Sequence, residues 1–245
     1  MRVLALGCLA VAAWSSAASD SKYLPQKVLT PEETAQEAYA KALNNPDKMA
    51  RAAGIAAFLA TKPTLPQSWQ LFYQTAMSDP EGNVRFEAFK ALAAMPAHDT
   101  SVARMMISVF NSLKLNDWKD RAMYGKAFNM CEFKADLAAT LADQISKMRY
   151  AEDVRYGRTT EKGKDEVKEK RKELMEMLEA FNDIAKSDVS ECNKETPEKV
   201  KKWWAANAIK LEKADGAVLS KYAKADADAA QAAKLAKEKA KDASK

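Results

Sequence analysis

The sequence predicts an all-α protein, an α-solenoid of stacked helix pairs, on three observations. Strong helix formers dominate the 245 residues, which hold only 7 glycines and 8 prolines, too few for a turn-rich β-sandwich. Apolar residues recur at helical spacing: in "SDPEGNVRFEAFKALAAMP", residues 78–96, Val84, Ala88, Ala91 and Leu92 lie in phase between a turn signal and a proline stop. A two-helix unit also repeats. Aligning the second helix of each unit puts Arg51, Arg85 and Arg121 in one slot, 34 and then 36 residues apart. Seven residues after each arginine stands a core-type side chain, Phe58, Leu92 or Phe128. A period in the thirties with two helices per unit is the mark of a solenoid.

The first 19 residues stand apart from this pattern. "MRVLALGCLAVAAWSSAASDS" has a charge at Arg2, an apolar run from Val3 to Trp14, and small residues before Asp20. That is the layout of a secretory signal peptide, and a run of twelve residues is short of the roughly 20 that span a bilayer. Two other readings stay open: a lipidated Cys8 in "LALGC", or an apolar N-terminal helix of a cytosolic protein. Export to the periplasm or beyond is the expectation, with no transmembrane segment in the mature chain.

Residues 20–32 read as a linker ending at a helix start. Thr30 is the N-cap, Pro31 suits the first helical position, and Glu33 completes a capping-box spacing. Residues 33–148 then carry the repeats. "EETAQEAYAKALNN" pairs with "NPDKMARAAGIAAFLATKP", "PQSWQLFYQTAMS" with "VRFEAFKALAAMP", and "TSVARMMISVFNSLKL" with "WKDRAMYGKAFNM". "EFKADLAATLADQISKM" opens a fourth unit. The turns inside the first three units carry Asn45-Pro46, Asp79-Pro80 and Asn116-Asp117.

The stretch "DPEGNVRFEAFKALA" resembles the second half of a HEAT repeat: Asp-Pro, then Val-Arg, then spaced alanines and a leucine. The flanking copies match less closely, with Ala50 and Asp120 in the slot of Val84. The resemblance implies helix pairs stacked into a curved rod. It also implies a structural ladder in which Asp79 and the arginines Arg51, Arg85 and Arg121 hydrogen-bond between repeats, as buried charges require partners.

Residues 149–164, "RYAEDVRYGRTTEKGK", are polar and aperiodic and read as an exposed loop. Residues 165–213 follow as a capping helix and a Trp-Trp segment. In the helix, Val167, Leu174, Leu178, Phe181 and Ala185 form an apolar stripe opposite a Lys/Glu face. The segment "NKETPEKVKKWWAANAIKLEKADG" is similar to a tail found after HEAT repeats in exported bacterial proteins. Trp203 and Trp204 either pack on the last repeat or stand exposed to dock a partner or polysaccharide. From 214 to 245 the chain is Ala- and Lys-rich with little to bury, an isolated or fraying helix. From Lys199 onward twelve lysines face six acidic residues, so the formal net charge of +5 is concentrated at this end.

Removing Cys8 leaves Cys131 and Cys192, which an oxidising compartment would allow to pair. The alternative is that Cys131, in "KAFNMCEF", is a small apolar core residue. The single histidine, His98, lies in an inter-helix turn, and no metal-ligand spacing, phosphate loop or nucleophile motif is present. The expectation is therefore no catalytic, metal or cofactor site. The basic tail is all lysine, which speaks against sequence-specific nucleic-acid binding and for weak attraction to an anionic envelope surface.

Phe86 and Phe89 occupy the repeat slots that hold Ala52/Ile55 and Ala122/Gly125 in the other copies. With Lys90 beside them they are candidate partner-binding residues; their other reading is groove filling between repeats. The function expected is a non-enzymatic exported scaffold binding a protein partner on the curved face. The alternatives are an envelope-attachment module using the lysine tail and tryptophans, and an accessory subunit of an enzyme. Mass spectrometry of the protein from its native host should find an N-terminus at Ser19 or Asp20. An intact Met1, or a lipid on Cys8, would overturn the export reading.

Overall fold

A computed structural model describes residues 29–64, 66–95, 100–113, 118–148, 161–190 and 192–242. The expected signal segment, His98, Asn116-Asp117 and most of the expected 149–164 loop lie outside the described residues. Those described are all-α, with no strand among them, and build a solenoid-like stack of helix pairs.

Each helix starts and stops for local reasons. α1 (Pro31–Leu43) opens on a capping box in which Thr30 Oγ1 accepts from the Glu33 N–H and the Glu33 carboxylate accepts from the Thr30 N–H. α2 (Lys48–Ala60) is capped by Asp47, whose carboxylate takes the N–H groups of Met49 and Ala50. It ends with Lys62 in the left-handed region at φ 51°, just before Pro63. α3 (Pro66–Ser78) and α4 (Gly82–Ala93) follow, then α5 (Ser101–Ser112) and α6 (Trp118–Ala127), which tightens into a 3-10 turn over Phe128–Met130. α7 (Ala135–Lys147) and α8 (Glu161–Ala185) form the fourth pair. α8 begins at Glu161, inside the stretch expected to be loop.

The pairs stack in two layers. α2 packs on α4, α4 on α6 and α6 on α8; on the other side α3 packs on α5 and α5 on α7. Polar contacts join α1 to α3: the hydroxyls of Tyr39 and Thr75 lie 2.9 Å apart, and Gln36 donates to Ser68. The core runs through the whole stack. Phe58 stacks on Tyr39, and Phe72 tilts against both. Further along, Phe89, Phe110, Phe128 and Leu141 are fully buried. In α8, Leu174, Leu178, Phe181 and Ala185 are buried, and the side chain of Val167 lies outside the described residues.

After α8 the chain turns at Lys186, again left-handed at φ 54°. It runs back along that helix: Asn182 Nδ2 donates to Val189 O at 2.9 Å, and Cys192 Sγ lies 3.8 Å from Arg171 O. α9 (Thr196–Asp242) then starts near the middle of α8 and passes Phe181 with Trp203. It packs on α7 and reaches the beginning of that helix with Asp215. It therefore runs with α8 and against α7. The structure shows one unbroken helix here, so the expected division at residue 214 is not a structural boundary.

Asp215 closes the stack. α7 has no cap from its own sequence, since Lys134 stands at the N-cap and its side chain makes no capping bond. The buried Asp215 carboxylate, some 80 residues further along, accepts from the Lys134 and Ala135 N–H groups at 2.9 Å each. An anion at a helix N-terminus satisfies orphan donors and suits the helix dipole. About two turns later Tyr222 donates to Glu132. Beyond Tyr222, residues 223–236 are all exposed, and the helix projects for about 30 Å at 1.5 Å per residue.

Gly54 permits the closest helix approach in the first pair. A Cβ placed there would meet Ala42 Cβ at 2.5 Å. Gly54→Ala should therefore destabilise the protein, although glycine to alanine in a helix ordinarily gains about 1 kcal/mol. Overpacking costs about 1–3 kcal/mol and should outweigh that gain. A thermal melt should show a lower Tm; an unchanged or higher one would mean that α1 shifts freely on α2.

Candidate docking surface

The arginines arise from a fixed position in each second helix, one turn in from its start. Arg51 is buried, and its guanidinium grips both sides of the joint between repeats. Nε and Nη2 donate to Oδ2 and Oδ1 of Asp79, at 2.8 and 3.0 Å, a two-pronged bond to the next unit. Nη1 donates back to the carbonyls of Asn45 and Pro46 at 3.0 and 3.1 Å. Asp79 also accepts from the Glu81 N–H at 2.9 Å, at the start of α4.

These contacts set the charge states. The bond to Asp79 raises the Arg51 pKa above its ordinary value against the effect of burial. Burial pulls the Asp79 carboxyl up, but hydrogen bonds from Arg51 and the Glu81 N–H, with the fields of Arg51 and Arg85, hold it below the usual carboxylate range.

Arg85 repeats half of this pattern. Its Nη1 donates to the Asp79 and Pro80 carbonyls at 2.7 and 3.1 Å, the same offsets of six and five residues as in Arg51. Arg121 departs from it. Nη2 donates to Leu113 O at 3.0 Å, Nη1 to Gln144 Oε1 at 2.8 Å, and the guanidinium carbon lies 5.6 Å from the Phe110 ring centre. Its buried Nε has no partner, and burial lowers its pKa. The turn residues Asn116 and Asp117, expected to serve this joint, lie outside the described residues.

The arginines lock the layer of even helices, and that layer presents Phe86. Phe86 is half-buried, with its ring 5.1 Å from Tyr124 and the Lys90 ammonium 5.3 Å from its centre. Lys90 in turn pairs with Glu87 at 2.8 Å. Met49 on α2 is 69% exposed and Met123 on α6 is 38% exposed. Phe89 does not belong to this surface. It is 0% exposed, held by Tyr124 at 4.5 Å and Phe128 at 6.0 Å between ring centres. Its slot faces the next repeat, so it fills the groove between them. The sequence reading missed Tyr124, whose position among polar neighbours in "DRAMYGKAF" hides that both phenylalanines rest on it. Burial pushes the Tyr124 hydroxyl up to about 12.

The tryptophans are half-buried and packed against the core, and Trp203 meets Phe181 edge-on at 5.5 Å. The disulfide considered for Cys131 and Cys192 is not formed; both are free thiols. Cys192 lies beside Arg171, whereas Cys131 is buried near Lys134 and Asp215, at the far end of α9's first half. From Thr196 to Asp215 that helix rises roughly 28 Å, far beyond the reach of a disulfide, which needs Cα atoms within about 7 Å. Burial raises both thiol pKa values.

No group of three or more His, Cys, Asp or Glu side chains suited to a metal occurs among the described residues. No helix among them is long and apolar enough to cross a membrane.

The two arginines of the joint should differ in cost when truncated. Arg51→Ala leaves a buried carboxylate unpaired and should cost about 3–5 kcal/mol. Arg85→Ala frees the Asp79 and Pro80 carbonyls and removes the hydrogen bond to the Tyr124 hydroxyl, without stranding a buried carboxylate, and should cost about 1–3 kcal/mol. Denaturant titration of both variants tests the order; equal costs would remove the Asp79 pair from its place at the joint.

Compared with known proteins, the chain matches no family model, no curated protein and no solved structure.

Proposed function

We propose that the protein is a non-enzymatic exported scaffold, HEAT-like in its repeats, that holds a protein partner on the exposed side of the α2–α4–α6 layer. The observation that carries this reading is Phe86: a half-buried aromatic ring on α4, packed against Tyr124 and with the Lys90 ammonium over it. Rigid aromatic side chains make strong anchors because little side-chain entropy remains to be lost on binding. Exposed methionines on the same layer, Met49 on α2 and Met123 on α6, can adapt to the shape of a partner. The stack offers an extended surface of the kind on which repeat proteins bind.

A second reading rests on α9. Its exposed end carries Lys221, Lys224 and Lys234 away from the body, an arrangement suited to weak attachment to an anionic envelope surface.

Photo-crosslinking in the native host distinguishes the two readings. A photoreactive residue at position 90 should capture one discrete protein, and Phe86→Ala with an unchanged Tm should abolish that band. Capture only from position 234, with release from envelope fractions by about 0.5 M salt, would replace the scaffold reading with attachment, because the Debye length then falls to a few Å.

A further inference from the structure

The turn from α8 into α9 builds a cleft of about 530 Å³ outside the layer that carries Phe86. We infer that this cleft, floored by Trp203, is a binding site for a neutral oligosaccharide. One wall is the returning segment 186–190 and the other is the first three turns of α9. Both walls are held in place. The Asn182 bond to Val189 O ties the segment to α8. The Asn193 N–H bond to Thr196 Oγ1 fixes the start of α9, and Phe181 holds the Trp203 ring edge-on.

The chemistry of the lining selects the ligand. Val189, Trp203 and Ala206 supply an apolar floor. The rest of the lining includes a carboxylate, a hydroxyl and an ammonium from Asp188, Ser190 and Lys202, and the Asn207 amide, which also donates to Trp203 O and accepts from Lys210. A pyranose ring has the matching form: one face of C–H groups to lie on an indole and a rim of hydroxyls that donate and accept.

A second cleft of about 540 Å³ continues along α9 and shares Lys199 and Lys202 with the first. It adds Lys194 against Glu195 and Glu198. Across the two, three ammonium groups meet three carboxylates, a balance that disfavours a phosphate or other simple anion. The paired clefts form a track longer than one sugar, which suits a linear oligomer. Their volumes fall within the range of small-molecule sites. Trp204 lines neither cleft, so the two adjacent tryptophans have separate roles: Trp204 packs, and Trp203 both packs and receives.

Isothermal titration of the full mature chain with cellotetraose and with chitotetraose tests the assignment. At least one should bind with a Kd near or below about 1 mM, a free energy of about −4 kcal/mol. Ala206→Arg fills the cleft from an exposed helix position and should weaken that binding at least about tenfold while the melt stays unchanged. Trp203→Ala should weaken binding likewise but lower the Tm, since it also loses the contact with Phe181, and if it fails to fold, Ala206→Arg decides alone. Absence of heat from both sugars at about 10 mM, or full binding by Ala206→Arg, would overturn the site. Neither result bears on the Phe86 surface, which lies on other helices.

Discussion

A guanidinium taken out of water must be given partners, and that requirement organises the joints of this stack. Arg51 is buried where two helix pairs meet, and its donors reach the Asn45 and Pro46 carbonyls of its own turn and the Asp79 carboxylate of the next. A lone buried charge would cost several kcal/mol, so the two turns cannot slide or separate without exposing one ion unpaired. Apolar packing alone would let α2 and α4 settle at several registers; the directional pair selects one. Because Asp79 also accepts from the Glu81 N–H in the turn that leads into α4, the same carboxylate ties the joint to the entry of the helix that presents Phe86.

The regularity of this device fades along the chain. Arg85 keeps the two backbone carbonyls, and Arg121 turns to Gln144 and the ring of Phe110. At that end a different carboxylate takes over. Asp215 comes from α9 and caps α7, so the last helix closes the stack with a polar group at the point where repeat-to-repeat pairing stops. The two ends are thus set differently: α1 by a capping box of its own sequence, and α7 by a carboxylate some 80 residues away.

Function on such a frame depends on what rigid packing leaves at the surface. Phe86 and Phe89 are one helical turn apart, yet Phe89 is sealed against Phe128 while Phe86 keeps one side open. Tyr124 serves both, as a wall for one and a platform for the other. The same division separates Trp203 from Trp204, adjacent in sequence and different in what they line. In both cases the helical rotation of about 100° per residue decides which surroundings each ring meets.

The sequence by itself determined the helices and their order. The 3.6-residue periodicity, the Thr30 capping box and the arginine period each follow from local chemistry or from short spacing, so they can be read without a fold. That Arg51 would need an acidic partner was legible too, because burial of a charge permits little else. Only the tertiary structure decided which residues share a neighbourhood. It set Asp215, embedded in an Ala/Lys-rich stretch that looked unable to pack, at the head of α7. It sent α9 along α8 in one unbroken helix, which carried Cys192 and Cys131 to opposite ends and left both thiols free. It divided Phe86 from Phe89 and Trp203 from Trp204. The physical reason is common to all of these: a residue's type and phase state that it can be buried or bonded, while the partner across 30 to 80 positions of chain is chosen by how whole helices stack.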